Sequence, residues 1–151
     1  MSDEPWHLDV VTPALLRHAR TTYGSAMRIA LEDAGYDDIP PNGLYVIGAL
    51  AMDETMPLSQ VIQDLRVSKQ SAGQLVDSLV TRGYLDRDTD PGDRRRLTVS
   101  LTARGRDAAS VQAAARHEID EALVAEIGAD KVDVMREGLA ALIDLRRMAL
   151  G

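Results

Sequence analysis

The most concentrated set of cationic side chains is the run Arg94-Arg95-Arg96, which directly follows Pro91-Gly92. A guanidinium presents a rigid fork of donors that matches the oxygens of phosphate and carboxylate groups. Pro-Gly favours a turn, because Pro presets φ and Gly tolerates a positive φ. The pattern predicts a β-hairpin whose tip carries the three arginines and meets an anionic partner.

A second group of side chains with useful chemistry lies on the helix predicted to start after Ser68. Lys69, Gln70, Ser71 and Gln74 are the polar residues placed to reach outward from it. Glutamine can pair bidentately with adenine and lysine can donate to guanine, while the Ser68 end of the helix would contact phosphate. Gln70 and Gln74 are one helical turn apart, so both can face the same groove of a nucleic acid.

Two helices joined by a short turn must position this second group. The first opens at Leu58, with Ser59 as its predicted N-cap, and the second runs from its N-cap Ser68 to about Arg82. Leu97–Leu101 alternates apolar and polar residues, as a half-buried strand does. A helix-turn-helix followed by this hairpin is a winged helix.

Four more helices are predicted outside the winged helix from apolar residues at helical spacing. They cover Leu8–Ala34 (regular from the N-cap Thr12 and ended by Gly35), Leu44–Met52, a helix capped by Thr102 that ends at Ile127, and one capped by Asp130 that ends near Leu150. The last is apolar on most of its circumference, which favours burial against a second copy of the chain.

Composition excludes several classes of site. The 151 residues contain no Cys, so disulfides and thiolate metal sites are excluded, and the three His show no metal-ligand spacing. No Gly-rich phosphate loop or nucleophile elbow is present, so neither an enzyme nor a cofactor is expected. There is no 18-residue apolar run and no signal-peptide pattern, which predicts a cytoplasmic protein that does not enter membranes.

The net charge of −7 is unevenly distributed. Residues 1–54 carry net −6 and residues 111–151 net −3, whereas residues 55–110 hold nine Arg and Lys against seven Asp and Glu, net +2. Charge asymmetry of this kind is expected when one face of a molecule meets phosphate. The overall acidity therefore does not exclude a nucleic-acid partner.

The order of elements and four local motifs resemble the MarR family of transcriptional regulators. The motifs are Val67–Leu79 as the recognition helix, Arg82-Gly83-Tyr84-Leu85 as its exit, Asp90–Arg95 as the wing, and Leu101-Thr102-Ala103-Arg104-Gly105 leading into the next helix. Arg66 departs from the family, which often has Gly in this turn. It must be slightly strained, adopt a different turn, or add a phosphate contact.

The resemblance implies a mainly α fold with a small β-hairpin wing, and N- and C-terminal dimerisation helices. Residues 1–54 and 103–151 would form the dimerisation region, with 35–54 packing on a DNA-binding lobe of 55–102, all in one compact chain. A homodimeric, ligand-responsive repressor of a pseudo-palindromic operator in double-stranded DNA is expected. Its effector would be a small aromatic or phenolic molecule, and the candidate pocket residues are His18, Tyr23, Met27, Tyr45 and His117.

Within the predicted wing, Arg95 is expected to enter the minor groove, where a narrow A·T-rich stretch concentrates negative potential. Asp93 would orient Arg95 by a charge-assisted hydrogen bond. Arg94, Arg96 and Arg87 would contact phosphates or brace the wing. The alternative is a winged helix that binds only protein, but such a module needs neither base-reading polar residues nor wing arginines.

Overall fold

The structure is a computed structural model that describes residues 5–151, apart from the side chain of Leu150. Its elements are a 3-10 helix Trp6–Asp9, α1 Thr12–Asp33, α2 Gly43–Asp53, β1 Thr55–Pro57, α3 Leu58–Leu65, α4 Lys69–Thr81, β2 Leu85–Asp90, β3 Asp93–Leu101, α5 Ala103–Ile127 and α6 Ala129–Leu150. The mainly helical winged-helix fold is thus confirmed. No helix among the described residues is both long enough and apolar enough to cross a bilayer.

The chain forms two compact units, Met1–Ala115 and Arg116–Gly151, and α5 contributes residues to both. The core of the first unit is mostly aliphatic, with one large aromatic side chain. Its most deeply buried large side chains include Leu31, Ile47, Leu50, Val76, Leu79, Tyr84, Leu85 and Val99. The second unit consists of the end of α5 together with α6. Among the apolar side chains that the structure describes there, only four are half-buried, namely Ile119, Leu123, Val132 and Leu139.

Two predicted N-caps in the first unit are wrong. The backbone carbonyl of Val11 accepts from Ala14 N at 3.0 Å, so α1 begins at Thr12 and has no side-chain cap. Helix α3 starts directly after β1 with Pro57 as its N-cap, not Ser59. In both places the N-cap position is occupied by an extended residue, Val11 or Pro57, whose side chain cannot accept a hydrogen bond.

The predicted caps on either side of the wing are confirmed. Ser68 Oγ accepts from Ser71 N at 3.1 Å at the start of α4. Thr102 Oγ1 accepts from Gly105 N at 3.0 Å at the start of α5 and donates to the Gly83 carbonyl at 2.5 Å. Thr102 thus contacts both Gly83, just before β2, and Gly105 in α5, and so it fixes the base of the hairpin against α5.

Glycines with positive φ follow the ends of three helices, at Gly35, Gly83 and Gly128. The predicted N-cap Asp130 is wrong, because α6 begins immediately after Gly128, whose φ is +89°. Asp130 instead lies in the first turn of α6. There its negative charge interacts favourably with the helix dipole.

The sheet has the order β1-β3-β2 and is antiparallel throughout. Strand β1 was not predicted, because its three residues show no alternation and end in a proline. Pro57 pairs with Thr98 at the edge of the sheet, a position that tolerates a residue without an N–H. The hairpin β2–β3 is called the wing below. Because β1 pairs with β3 and leads directly into α3, it connects the wing to the start of that helix.

Candidate nucleic-acid interface

The outward face of α4 is polar and open to solvent. Ala72, Val76 and Leu79 are fully buried and hold the helix to the core of its unit. The opposite face exposes the residues predicted to read bases and contact phosphate, namely Ser68, Lys69, Gln70, Ser71 and Gln74. Since the buried face fixes the rotation of α4, this polar face is presented by a rigid element.

The three arginines of the wing form an irregular insertion in β3. Thr89 lies opposite Leu97, but the next residue, Asp90, lies opposite Asp93. Arg94–Arg96, called the arginine bulge below, therefore have no partner on β2, and all three are exposed. The prediction that they occupy the tip of the hairpin is wrong, because Pro91-Gly92 alone forms the turn. Bulges of this kind re-aim side chains away from the regular pleat.

Asp93 fixes the backbone of the arginine bulge. Its Oδ1 accepts from the backbone N of Arg95 at 3.0 Å. The predicted bond from Asp93 to the Arg95 guanidinium is thus replaced by a bond to the main chain, two residues along, which a short Asp side chain reaches readily. The Arg95 side chain remains exposed.

An ion pair ties the wing to α4. Arg87 Nη2 of β2 donates to Asp77 Oδ1 of α4, and the Arg87 side chain is one-third exposed. This contact braces the wing against the helix that precedes it. The polar face of α4 and the arginine bulge thus belong to one mechanically connected lobe.

Comparison with known proteins identifies this lobe. Residues 37–96 match the family model described as MarR family. The winged helix of this chain is therefore similar to that of the MarR family of transcription regulators. The match extends from the loop before α2 to the arginine bulge, so it includes both exposed polar surfaces. No curated protein matches the chain significantly.

Solved structures share the fold over almost the whole chain. A probable transcriptional regulator from Pseudomonas aeruginosa is 27% identical, with 89% of this chain and 98% of that chain covered and a TM-score of 0.69. FabT of Streptococcus pneumoniae, solved in complex with DNA, is 18% identical, with coverages of 92% and 99% and a TM-score of 0.73. NadR, solved with 4-hydroxyphenylacetate, is 22% identical, with coverages of 94% and 97% and a TM-score of 0.71.

A polar cluster that sequence reasoning missed connects the loop before α2 with the base of the wing. The buried Tyr84 donates from its hydroxyl to Asp38 Oδ1. Arg104 Nη2 donates to the Tyr84 hydroxyl at 3.0 Å and to Asp38 Oδ1 at 3.2 Å. Tyr84 and Arg104 lie within the motifs of the sequence, but Asp38 has no motif that could have revealed it.

The cluster changes the acidity of two of its members. The hydrogen bond from Tyr84, with help from the Arg104 charge, lowers the pKa of Asp38 despite some opposing desolvation. Burial, followed by the bond to Asp38, raises the pKa of Tyr84 to about 12. Asp38 is therefore a carboxylate and Tyr84 a neutral donor at neutral pH.

Tyr84→Phe should destabilise the protein by about 1–2 kcal/mol at pH 7, because Asp38 and Arg104 lose a buried partner. The carboxylate form of Asp38 is favoured in the folded state, so this contribution is present at neutral pH and fades as Asp38 protonates. The difference from wild type should narrow below about pH 4. Urea unfolding of the variant and of wild type at pH 7 and pH 3 measures this difference in the free energy of unfolding. Tyr36→Phe keeps the ring that lies beside Arg104 and Tyr84 and removes only its hydroxyl, so it should leave stability unchanged.

The residues predicted for an effector pocket lie in different surroundings. In the first unit Met27 is buried in the core, Tyr23 and Tyr45 are half-buried and His18 is exposed. In the second unit His117 is exposed, and its Nε2 lies 3.1 Å from Glu121 Oε1.

One of these candidates, Tyr45, lines a small hollow of about 70 Å³ between α2, β1 and α3. The hollow is lined by Tyr45, Val46, Ala49, Met56, Val61, Asp64 and Leu65. The guanidinium carbon of Arg20 lies 4.3 Å from the centroid of the Tyr45 ring. An aromatic ring, a cation and an apolar hollow are therefore adjacent in the first unit.

Proposed function

We propose that this chain is a sequence-specific DNA-binding repressor that recognises a pseudo-palindromic operator as a homodimer. One observation carries the proposal: the exposed polar face of α4 and the exposed arginine bulge belong to one lobe, braced by Asp77 and Arg87. A recognition helix of this kind enters the major groove while an adjacent arginine reaches the minor groove. Two copies would contact half-sites roughly 10 base pairs apart.

The two surfaces have different tasks in this proposal. Lys69, Gln70, Ser71 and Gln74 contact base edges, while Ser68 and the start of α4 contact phosphate. In the wing, Arg95 enters the minor groove and its neighbours in the bulge contact the backbone. The structure of FabT with DNA supports the proposal through the shared fold.

The second unit supports the homodimer. Helix α6 exposes a large set of apolar side chains, which include Val134, Met135, Leu142, Ile143, Leu145 and Met148. Apolar surface of this extent on one helix favours an interface. Sedimentation at micromolar concentration is expected to show a dimer, and a monomer there would contradict this part of the proposal.

A small aromatic or phenolic effector is proposed to release the DNA. The ring of Tyr45, the guanidinium of Arg20 and the adjoining hollow offer stacking, charge and apolar contact to such a molecule. The structure of NadR with 4-hydroxyphenylacetate supports this ligand class. A screen of phenolic acids for release of bound operator tests it, and Tyr45→Ala should abolish any release.

A cytoplasmic location, which gives access to DNA, belongs to the proposal, and its central test is selection of bound fragments from genomic DNA. We expect enrichment of one pseudo-palindrome whose affinity falls steeply as salt rises, because bound phosphates release counterions. Reporter expression should rise when the gene is deleted if the protein represses. If no sequence were enriched, the proposal would be contradicted, and a winged helix that binds only protein would be favoured.

A further inference from the structure

Arg66, the residue that follows α3, adopts a left-handed backbone conformation that glycine adopts more readily than arginine. Its φ is +53° and its ψ is +33°, and its N–H donates to the Gln63 carbonyl at 3.3 Å. In this region the Cβ of an ordinary residue crowds the backbone, whereas glycine adopts it freely. The turn alone therefore favours Gly, and an arginine here is retained at a cost in stability.

No contact within the described part of the chain compensates for this cost. The Arg66 side chain is exposed, and no carboxylate within residues 5–151 forms an ion pair with it. The acidic residue closest in sequence, Asp64, already accepts from Gln60 Nε2 at 2.8 Å. The guanidinium is thus left available for a partner outside the subunit.

The position of Arg66 indicates what that partner is. It lies two residues before Ser68, the N-cap of α4, and three before Lys69, the first of the proposed base-contacting residues. A side chain beside this end of α4 would lie next to the edge of any groove that α4 enters, and phosphates line both edges of a groove. An arginine is well suited to bind them, since its fork matches phosphate oxygens.

We propose that Arg66 is a further DNA contact, a phosphate clamp beside the groove that α4 enters. The inference rests on the proposed function and adds an element to it. It explains why a strained arginine occupies a turn that glycine would fit. The clamp contributes affinity without sequence preference, because phosphates are the same at every base pair.

Three substitutions separate charge from backbone strain. Arg66→Gln removes the charge and keeps the strain, Arg66→Gly removes both, and Arg66→Lys keeps both. Operator and random-sequence affinities are measured over a range of salt concentrations, alongside melting temperatures. We expect R66Q and R66G to bind operator and random DNA more weakly by the same factor. The slope of log affinity against log salt should be shallower by about 0.9 for each lost contact.

The loss of affinity should occur without a loss of stability. R66G should melt at or above the wild-type temperature, R66Q close to it, and R66K should retain the wild-type salt slope. Asn42→Gly is the matched control, because Asn42 also has a positive φ of 67° but precedes α2. N42G should bind DNA as wild type does.

The outcomes are distinguishable from failure of the proposed function. If wild type binds no DNA, the proposed function itself fails and the clamp with it. If wild type binds and R66Q retains both its affinity and its salt slope, the clamp alone is overturned. A loss confined to the operator, with random DNA bound normally, would also overturn it, since that result would make Arg66 a base reader.

Discussion

Arg95→Ala is expected to weaken operator binding by roughly 1–3 kcal/mol for each subunit, the largest loss that any single wing arginine should produce. The truncation removes a guanidinium that is exposed and held on a bulge. The bulge itself should survive, because Asp93 bonds the backbone N of Arg95 and not its side chain. The effect should therefore be on binding, with the melting temperature unchanged.

The size of the effect follows from where the proposal places this side chain. A narrow minor groove concentrates negative potential, so a guanidinium inserted there gains more than one on an open phosphate. The loss should be greatest for operators whose flanks are A·T-rich. Titration of labelled operators with A·T-rich and G·C-rich flanks, at one salt concentration, measures this difference.

Two further substitutions, one in the wing and one on α4, serve as controls for Arg95. Arg94→Ala should reduce affinity for all sequences alike, as the loss of a phosphate contact does. Gln70→Ala should change base preference within the half-site, since glutamine discriminates adenine by about 1–3 kcal/mol. Wild-type affinity in Arg95→Ala would show that the wing does not enter the minor groove.

The wing shows how far sequence reasoning reached. The alternation of Leu97–Leu101 and the Pro91-Gly92 turn correctly predicted a hairpin after a helix-turn-helix. The arginine bulge was not predictable, because a register shift depends on which residues of β2 and β3 pair. The order of residues in the sequence puts three arginines next to a turn. Only the strand pairing shows that these arginines have no partner on β2.

Contacts between distant parts of the chain were beyond sequence reasoning for a similar reason. Asp38 meets Tyr84 and Arg104 only because the loop before α2 folds against the base of the wing. Helix α4, in contrast, was predicted with its cap and its outward polar residues, because both depend on spacing within one segment. Local sequence patterns therefore predicted the candidate interface. The contacts that hold it in place, such as those of Asp38 with Tyr84 and Arg104, could be found only in the folded structure.

One such support, Gly105, makes the strongest prediction for stability. It lies in the first turn of α5, and a Cβ added there would be 2.2 Å from the Tyr84 carbonyl oxygen and 3.0 Å from Leu101 Cδ2. The same carbonyl accepts from Thr102 N at 3.0 Å. The first contact is with backbone, so a side-chain rotation cannot relieve it, and α5 or the start of the wing must move.

Gly105→Ala is therefore expected to destabilise the protein by about 3 kcal/mol or more, at the upper end of the range for overpacking. Gly138→Ala is the matched control, because Gly138 lies within α6 and no heavy atom is within 4 Å of an added Cβ. That substitution should stabilise the protein by roughly 0.5–1 kcal/mol, since alanine is the better helix former. Denaturant unfolding of both variants gives the comparison.

The opposite signs expected for these two glycines test the packing of α5 on the wing directly. Helix propensity alone would predict that both substitutions stabilise, since each glycine lies within a helix. Only the close approach of the Tyr84 carbonyl reverses the sign at Gly105. If Gly105→Ala were as stable as wild type, α5 could not approach the wing this closely. The bonds from Thr102 and Arg104 that depend on that approach would then need revision.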